Sequence, residues 1–154
     1  MGYIMHLREK IGHEELLTAG TGVFPVRDGK VLLQRRADNG LWTMHGGAIE
    51  IGEVPEDAAK REFFEETGLR ANALELIGVF SGPDTRYTYP NGDQVSNVDI
   101  VFVCREWQGE LVCQPGEVEA LAFFAPEALP SPLHEIDHSA LKAWMQLREA
   151  REQK

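Results

Sequence analysis

The most constraining feature of this sequence is residues 47–69, where a glycine turn leads into a short segment rich in glutamates. Pro55 suits the first position of a helix, because its missing N–H costs nothing there and its φ is already helical. Gly68 can adopt the left-handed conformation that ends a helix, and Leu69 can then fold back as a hydrophobic contact. The segment therefore predicts a helix over residues 55–67.

Three glutamates of this helix share one face. Glu62, Glu65 and Glu66 stand at positions i, i+3 and i+4. Such close like charges raise each other's pKa unless a positive charge neutralises them. A divalent cation with oxygen ligands, Mg²⁺ or Mn²⁺, would do so. The alternative is a solvated acidic face with salt bridges to Lys60 and Arg61, which is the usual meaning of a charged run.

The spacing of the whole segment favours the metal interpretation. A glycine, five residues, a glutamate and seven residues precede an arginine, and the order Arg-Glu-apolar-x-Glu-Glu-x-Gly-apolar follows. The fixed positions are Gly47, Glu53, Arg61, Glu62, Phe63, Glu65, Glu66, Gly68 and Leu69. This pattern resembles the Nudix box of the Nudix (MutT-type) hydrolases at every specified position. The resemblance implies an α/β fold, namely a Nudix-type α/β/α sandwich with a mixed β-sheet between helices.

The resemblance also implies a reaction and a metal site. Nudix hydrolases use bound metal ions to promote the attack of water on a pyrophosphate phosphorus in a nucleoside diphosphate linked to another moiety, X. Carried over to this chain, the metal ligands are Glu62, Glu65, Glu66 and the carbonyl of Gly46 or Gly47. Mg²⁺ is the expected cofactor, and Mn²⁺ is the alternative.

The general base is not fixed by the box. Glu53 is expected either to assist as a carboxylate held by Arg61 or to serve as the base itself. Because relatives differ on this point, the alternatives are another box glutamate or a glutamate from a later loop. Glu117 and Glu119 are the candidates in that loop.

Candidate substrate contacts lie outside the box. Arg35 and Arg36 end a predicted strand, where they are either phosphate contacts or surface charges. His45 stands where the family usually has a proline before two glycines, so it either contacts the substrate or fills the space of that proline. Both interpretations stay open for each residue.

Four aromatic residues are candidates for stacking on a base, although ordinary strand or core packing is the more common explanation for each. They are Trp42, Phe80, Tyr87 and Tyr89. The distance of Tyr87 from the box resembles a marker of dinucleoside-polyphosphate hydrolases, and Pro83 lies near the marker of ADP-ribose hydrolases. We expect an ADP-ribose or nucleotide-sugar substrate first, then dinucleoside polyphosphates or nucleoside triphosphates.

The remaining chain predicts a single domain over residues 1–154, with a short lead-in at 1–15 and a C-terminal helix at about 137–152. The formal net charge of −10 argues against non-specific nucleic-acid binding and against binding to anionic membranes. No signal peptide or long apolar span is visible, so a cytoplasmic location is expected. The amphipathic lead-in is compatible with a homodimer.

The strand pattern predicts a hairpin at Asp28-Gly29 and a central strand within residues 95–107, because both faces of that stretch are largely apolar. A second turn at Gln108-Gly109 would place Cys104 and Cys113 across a hairpin. We expect two buried thiols and no disulfide.

A competing motif, His-Glu-x-x-His, occupies residues 134–138. A zinc site would need both histidines on one long helix and a third ligand downstream. Only sixteen residues follow, so two surface histidines at the start of the last helix are the simpler interpretation.

A second alternative is a nucleotide-binding regulatory module without catalysis. Inactive relatives typically lose a box glutamate, whereas this chain keeps them all. The sequence therefore favours an active enzyme, a Nudix pyrophosphohydrolase acting on phosphoanhydride bonds of a small-molecule nucleotide.

Overall fold

The structure, a computed structural model, describes residues 2–152. Met1, Gln153 and Lys154, the ends of the predicted domain, lie outside this range. The helices are α1 (Tyr3–Ile11), α2 (Pro55–Thr67) and α3 (His138–Glu152). The strands are β1 (Leu16–Arg27), β2 (Lys30–Arg36), β3 (Trp42–Thr43), β4 (His45–Ala48), β5 (Arg70–Ala71), β6 (Glu75–Phe80), β7 (Arg86–Thr88), β8 (Gln94–Cys104), β9 (Trp107–Gln108) and β10 (Val118–Phe124).

The main sheet is mixed, as predicted. Its strands follow the order β10-β2-β1-β8-β6, while β3, β4 and β7 pair with β2, β1 and β8 respectively. β1 runs parallel to β8, with Leu16 opposite Val95 and Pro25 opposite Cys104. The other pairings are antiparallel, including the predicted hairpin between β1 and β2. β8 lies between β1 and β6, so the prediction of a central strand is confirmed.

Both faces of this sheet are covered by helices. On one face, Phe24 of β1 packs in a cluster with Leu141 and Trp144 of α3. On the other face, its neighbour Val23 packs in a cluster with Phe63 of α2. Because successive strand residues point to opposite faces, one buried strand supplies both cores. The result is the predicted α/β/α sandwich.

Helix α2 has the bounds that the sequence predicts. It begins at Pro55 after Val54, which provides no side-chain cap. It ends at Thr67, and Gly68 adopts φ 77° so that its N–H donates to the Phe64 carbonyl at 2.8 Å. The glycine cap therefore fixes the end of the helix that carries the glutamates.

Three details differ from the sequence prediction. The predicted hairpin after Gln108 is not formed, because the Val112 N–H donates to the Thr67 carbonyl at the end of α2. Cys104 is buried but Cys113 is exposed, so the expectation of two buried thiols was wrong, although both cysteines are free as expected. His134 is buried and precedes the last helix, so the expectation of two surface histidines at the start of that helix was wrong for His134; the helix itself begins at His138, close to the predicted start. Within residues 2–152, none of the helices has the length and apolar character needed to cross a membrane.

Candidate active site

Strand β4 places two glycines against the glutamate-bearing helix. Gly46 and Gly47 pair with Gly22 and Thr21 of β1. A Cβ atom on Gly46 would lie 1.9 Å from the Thr21 carbonyl oxygen, and one on Gly47 would lie 2.6 Å from Oε1 of Glu62. Only glycine allows the strand and the Glu62 carboxylate to come this close.

Glu66 is the most firmly held of the three glutamates. It is buried, its Oε2 accepts a hydrogen bond from Nε2 of Gln34 at 2.5 Å, and both its oxygens lie 3.3 Å from the Gly46 N–H. Nδ1 of His45 lies 3.5 Å from the same Oε2. Helix α2, strand β2 and strand β4 thus jointly fix this carboxylate.

Arg61 connects the other acidic residues of the box. Its Nε and Nη2 donate to the two oxygens of Glu53 at 2.8 and 2.9 Å, and its Nη1 donates to Glu62 at 2.8 Å. Nη2 also donates to the Ala48 carbonyl at 3.2 Å. These hydrogen bonds lower the pKa of Glu53 to about 2. Glu65 is about half exposed, with its carboxylate 3.5 Å from Arg61.

The pKa of Glu62 is shifted in the opposite direction, upward. Burial raises its pKa to about 7, the hydrogen bond from Arg61 opposes this, and the charges of Glu66 and Glu65 add to the rise. The cluster therefore holds more negative charge than Arg61 neutralises. Its donors are all oxygens, which a hard divalent cation prefers.

These carboxylates do not converge on one point. Within residues 2–152, no three acidic, imidazole or thiol groups are arranged closely enough to hold a metal ion. Glu65 turns toward Arg61, whereas Glu66 turns toward Gly46 and Gln34. The donor types and the glycine cradle fit a metal ion, and the side chains need to reorient to share it.

A cleft of about 300 Å³ opens beside the glycines. Strands β1, β4 and β8 form much of it, and it includes Gly46 and Gly47. Two of the predicted substrate contacts also line this cleft, namely Arg36 and the stacking candidate Tyr89. The Arg36 guanidinium lies 5.6 Å from the centre of the Tyr89 ring.

Other predicted substrate contacts lie elsewhere. Arg35 is paired with Glu119 at 2.9 Å, and Trp42 packs edge-on against Phe124 with ring centres 4.9 Å apart. Tyr87 lines a different depression. None of these three residues lines the cleft, because each lies against other side chains elsewhere on the protein.

His45 does not line the cleft. Its side chain is fully buried, its Nε2 lies within hydrogen-bond distance of the Leu32 carbonyl at 3.1 Å, and its ring lies 5.9 Å from that of Phe63. Phe80 is likewise partly buried against the core. The structure therefore contradicts a direct contact between His45 and a substrate.

The two later-loop glutamates separate in the structure. Glu117 lines a depression that also includes Glu66 and Gln34. Glu119 is instead paired with Arg35. Of the two, Glu117 is thus the one placed near the box glutamates.

The zinc interpretation of residues 134–138 fails on geometry. His134 is buried at the start of a 3-10 turn, and burial is the main cause that lowers its pKa to about 4. His138 begins α3. Because the two histidines belong to different elements, they do not form the paired ligands of a helical zinc motif.

Sequence reasoning missed three polar residues of this region. Gln34 holds Glu66, while Asp99 and Asp137 line the cleft. An acid inside the apolar stretch 98–104 was a visible signal for Asp99. Nothing in the sequence marked Gln34, since its role depends on how β2 meets α2.

We expect the stability of the metal-free protein to fall as the pH rises from about 4 to about 7. Burial, assisted by the charge of Asp137, raises the pKa of Asp99 from 3.8 to about 7, so the folded state binds a proton that the unfolded chain has released. In Asp99→Asn, the free energy of unfolding should decrease by about 1–2 kcal/mol less than in the wild type between pH 5 and pH 7. Urea unfolding in EDTA at several pH values measures it. Asp84→Asn, an exposed acid, is the control, and an unchanged slope in Asp99→Asn would contradict the assignment.

The fold and the site together define an α/β/α sandwich in which a glutamate-bearing helix is held against a glycine strand. The model of the NUDIX domain family matches residues 16–150. The chain belongs to the Nudix family, whose hydrolases generally use divalent metal ions and act on small-molecule nucleotides. The predicted family and enzyme class are therefore confirmed.

Individual relatives agree with this assignment. The chain is 35% identical to a MutT-like protein of Streptomyces ambofaciens, over 75% of this chain and 68% of that protein. It is 36% identical to the CTP pyrophosphohydrolase of Escherichia coli (81% and 89% covered) and 39% identical to an ADP-ribose pyrophosphatase of Methanocaldococcus jannaschii (68% and 59%). A MutT NUDIX hydrolase from Burkholderia pseudomallei has a similar structure, with a TM-score of 0.72 and 32% identity over 83% and 98% of the two chains.

Proposed function

We propose that this protein is a Mg²⁺-dependent hydrolase of the pyrophosphate bond in a nucleoside diphosphate linked to another moiety, with Mn²⁺ as a substitute ion. The observation that carries the proposal is the pairing of Glu62 and Glu66 against Gly46 and Gly47. Glu62 is partly buried and Glu66 is buried, and the two carboxylates share excess negative charge beside an open cleft.

The metal ligands in this proposal are Glu62, Glu65, Glu66 and the carbonyl oxygen of Gly46 or Gly47. A bound divalent ion would neutralise the diphosphate and acidify the attacking water. Gln34 and the Gly46 N–H both donate to Glu66 and hold it in place. The fixed carboxylate limits the reorganisation that binding requires.

Arg61 orders the acidic cluster. It holds Glu53 with two hydrogen bonds and Glu62 with a third. Because the pKa of Glu53 is about 2, that carboxylate is a poor proton acceptor near neutral pH. We therefore assign Glu53 to positioning, and propose Glu117 as the group that takes the proton of the attacking water.

The moiety X is proposed from the relatives. The alignment with the CTP pyrophosphohydrolase spans 89% of that protein, whereas the chain spans 59% of the ADP-ribose pyrophosphatase. This difference favours nucleoside triphosphates as the first substrates, ahead of the ADP-ribose or nucleotide-sugar type that the sequence alone suggested. Arg36, at the cleft wall, is the proposed phosphate contact.

Turnover of a nucleotide panel tests the proposal. Nucleoside triphosphates, ADP-ribose, nucleotide sugars and dinucleoside polyphosphates are incubated with millimolar Mg²⁺, which saturates a weak site. We expect a monophosphate and pyrophosphate from triphosphates, and complete loss of turnover in EDTA. Turnover that survives EDTA would contradict the metal requirement. Binding without turnover of any nucleotide would instead support the silent regulatory module.

Three further expectations stay predictions. They are a cytoplasmic location, a homodimer and the lack of non-specific binding to nucleic acids or membranes. Tyr3 and Met5 of α1 expose apolar surface that a second copy could cover. Sedimentation of the purified protein would decide the oligomeric state.

A further inference from the structure

Helix α1 forms one side of the substrate cleft. Ile4 and Arg8, which lie one helical turn apart, line the cleft together with Asn91 and Asp93 of the turn between β7 and β8. The whole of α1 precedes residue 16, where the match to the family domain begins. This helix therefore adds a wall to the cleft that the matched domain does not supply.

The contacts that attach α1 to the rest of the protein are largely polar. Among the described residues, neither hydrophobic cluster includes a residue of α1. The buried residue of the helix is a charged one, Arg8, while the side chains of Tyr3 and Met5 are exposed. Elements with few buried apolar contacts open at a lower free energy than the rest of a fold. We therefore expect α1 to detach without disturbing either core.

Arg8 fastens the C-terminal half of α1. Its Nη2 donates to the Gln94 carbonyl at 2.7 Å, and its Nη1 donates to the carbonyls of Gly12 and Glu14 at 3.0 and 2.5 Å. Its Nε lies 3.8 Å from Oδ1 of Asp93. A buried guanidinium is stable only with such acceptors around it. This side chain thus joins the helix, the segment after it and the start of β8.

The other end of α1 is tied to the loop that carries Glu53. The Tyr3 N–H donates to Oε2 of Glu50 at 2.9 Å. A Cβ atom on Gly2 would lie 2.6 Å from Oε1 of the same carboxylate, so the absence of a side chain permits this contact. The Glu50 N–H in turn donates to Oε1 of Glu53 at 3.1 Å. Helix α1 therefore reaches from the box loop to the turn between β7 and β8.

We propose that α1 is a movable wall that closes over a bound nucleotide, and that Arg8 is the positioning residue that holds it closed. This inference rests on the proposed function, since it concerns the same cleft. A nucleotide that contacts Ile4 binds the closed form more tightly than the open form and shifts the equilibrium toward closure. Because the proposed metal ligands and the proposed base lie outside α1, closure acts on nucleotide binding and not on the chemical step.

Arg8→Ala is expected to raise the KM for nucleoside triphosphates about 10-fold, because the variant is less often closed. The kcat should stay within about twofold, and the Mg²⁺ dependence should not change. Arg8→Lys should restore part of the loss, since its ammonium group can still donate to the same carbonyls. Lys10→Ala is the matched control, because it removes the same charge from an exposed position of the same helix. An equal rise in KM for Lys10→Ala would contradict the role of Arg8.

Hydrogen–deuterium exchange of the wild-type protein measures the movement directly. The probes are the α,β-methylene analogues of CTP and ATP, in which the bond to be hydrolysed is replaced, and calorimetry measures their binding. Without an analogue, the amides of α1 should exchange faster than those of α2. An analogue at about 100 times its Kd should slow the exchange of α1 about 10-fold or more.

The combined results separate this inference from the hydrolase proposal. Turnover of nucleotides, together with an analogue that binds without slowing the exchange of α1, would overturn the movable wall and leave the hydrolase intact. Slower exchange of α1 without turnover of any nucleotide would support the wall and overturn the hydrolase. If no nucleotide is turned over and neither analogue binds, both proposals are wrong.

Discussion

Replacing Glu66 by glutamine is expected to lower kcat about 1,000-fold while the protein stays folded. A neutral amide is a far weaker ligand for a divalent cation, and such an ion contributes several kcal/mol of transition-state stabilisation, which corresponds to several factors of ten in rate. The glutamine has the size of the glutamate, and its amide oxygen can still accept from Gln34. Steady-state kinetics with varied Mg²⁺, together with thermal unfolding, measures both effects.

Glu56→Gln is the matched control for this variant. Glu56 lies in the first turn of the same helix α2, and its side chain is exposed. The substitution is chemically identical, so it should leave kcat within about twofold. If Glu66→Gln retained the wild-type rate, the metal site on this face of the helix would be misassigned.

Gly47→Ala is expected to reduce activity by about 10–100-fold, the range found when the support of a metal ligand is lost. The added methyl group would meet the Glu62 carboxylate at 2.6–2.9 Å, so that side chain has to leave its place beside β4. Since the obstacle is the end of a side chain, the backbone can stay in place. We therefore expect a higher Mg²⁺ requirement and a small change in Tm.

Gly78→Ala provides the comparison. Gly78 lies in strand β6, outside the residues that line the cleft, and an added Cβ atom would lie 3.3 Å from the Phe80 ring. This variant should lower Tm slightly without changing the Mg²⁺ dependence. Equal Mg²⁺ dependence in Gly47→Ala and the wild type would show that the position of Glu62 is unimportant for catalysis.

Local chemistry explains why the box helix could be predicted from the sequence. Pro55 and Gly68 determine the backbone conformation at the two ends of the helix. The i, i+3, i+4 spacing of the glutamates places them on one face of the helix, regardless of what the helix packs against. The hairpin at Asp28-Gly29 is local in the same sense. Features of this kind need no knowledge of distant residues.

The surroundings of the site could not be predicted in this way. Gln34 meets Glu66 only because β2 and α2 pack against each other, and Asp137 meets Thr43 from 94 positions away. Two of the aromatic candidates lie outside the cleft for a related reason, whereas Tyr89 lines it. Stacking chemistry suits Trp42 and Tyr87, but the register of their strands directs them away from the cleft. Residue type gives the chemistry of a contact, and topology decides where it occurs.

The parallel pairing of β1 with β8 has a consequence for protein synthesis. Leu16 pairs with Val95, 79 positions later, so β1 leaves the ribosome well before its partner exists. At ordinary translation speeds this delay lasts about 4–16 s. Hydrogen bonding between two strands that are so far apart in the sequence also forms slowly during folding. β1 is therefore open to aggregation in the nascent chain during this delay, and added chaperones should raise the yield of folded enzyme.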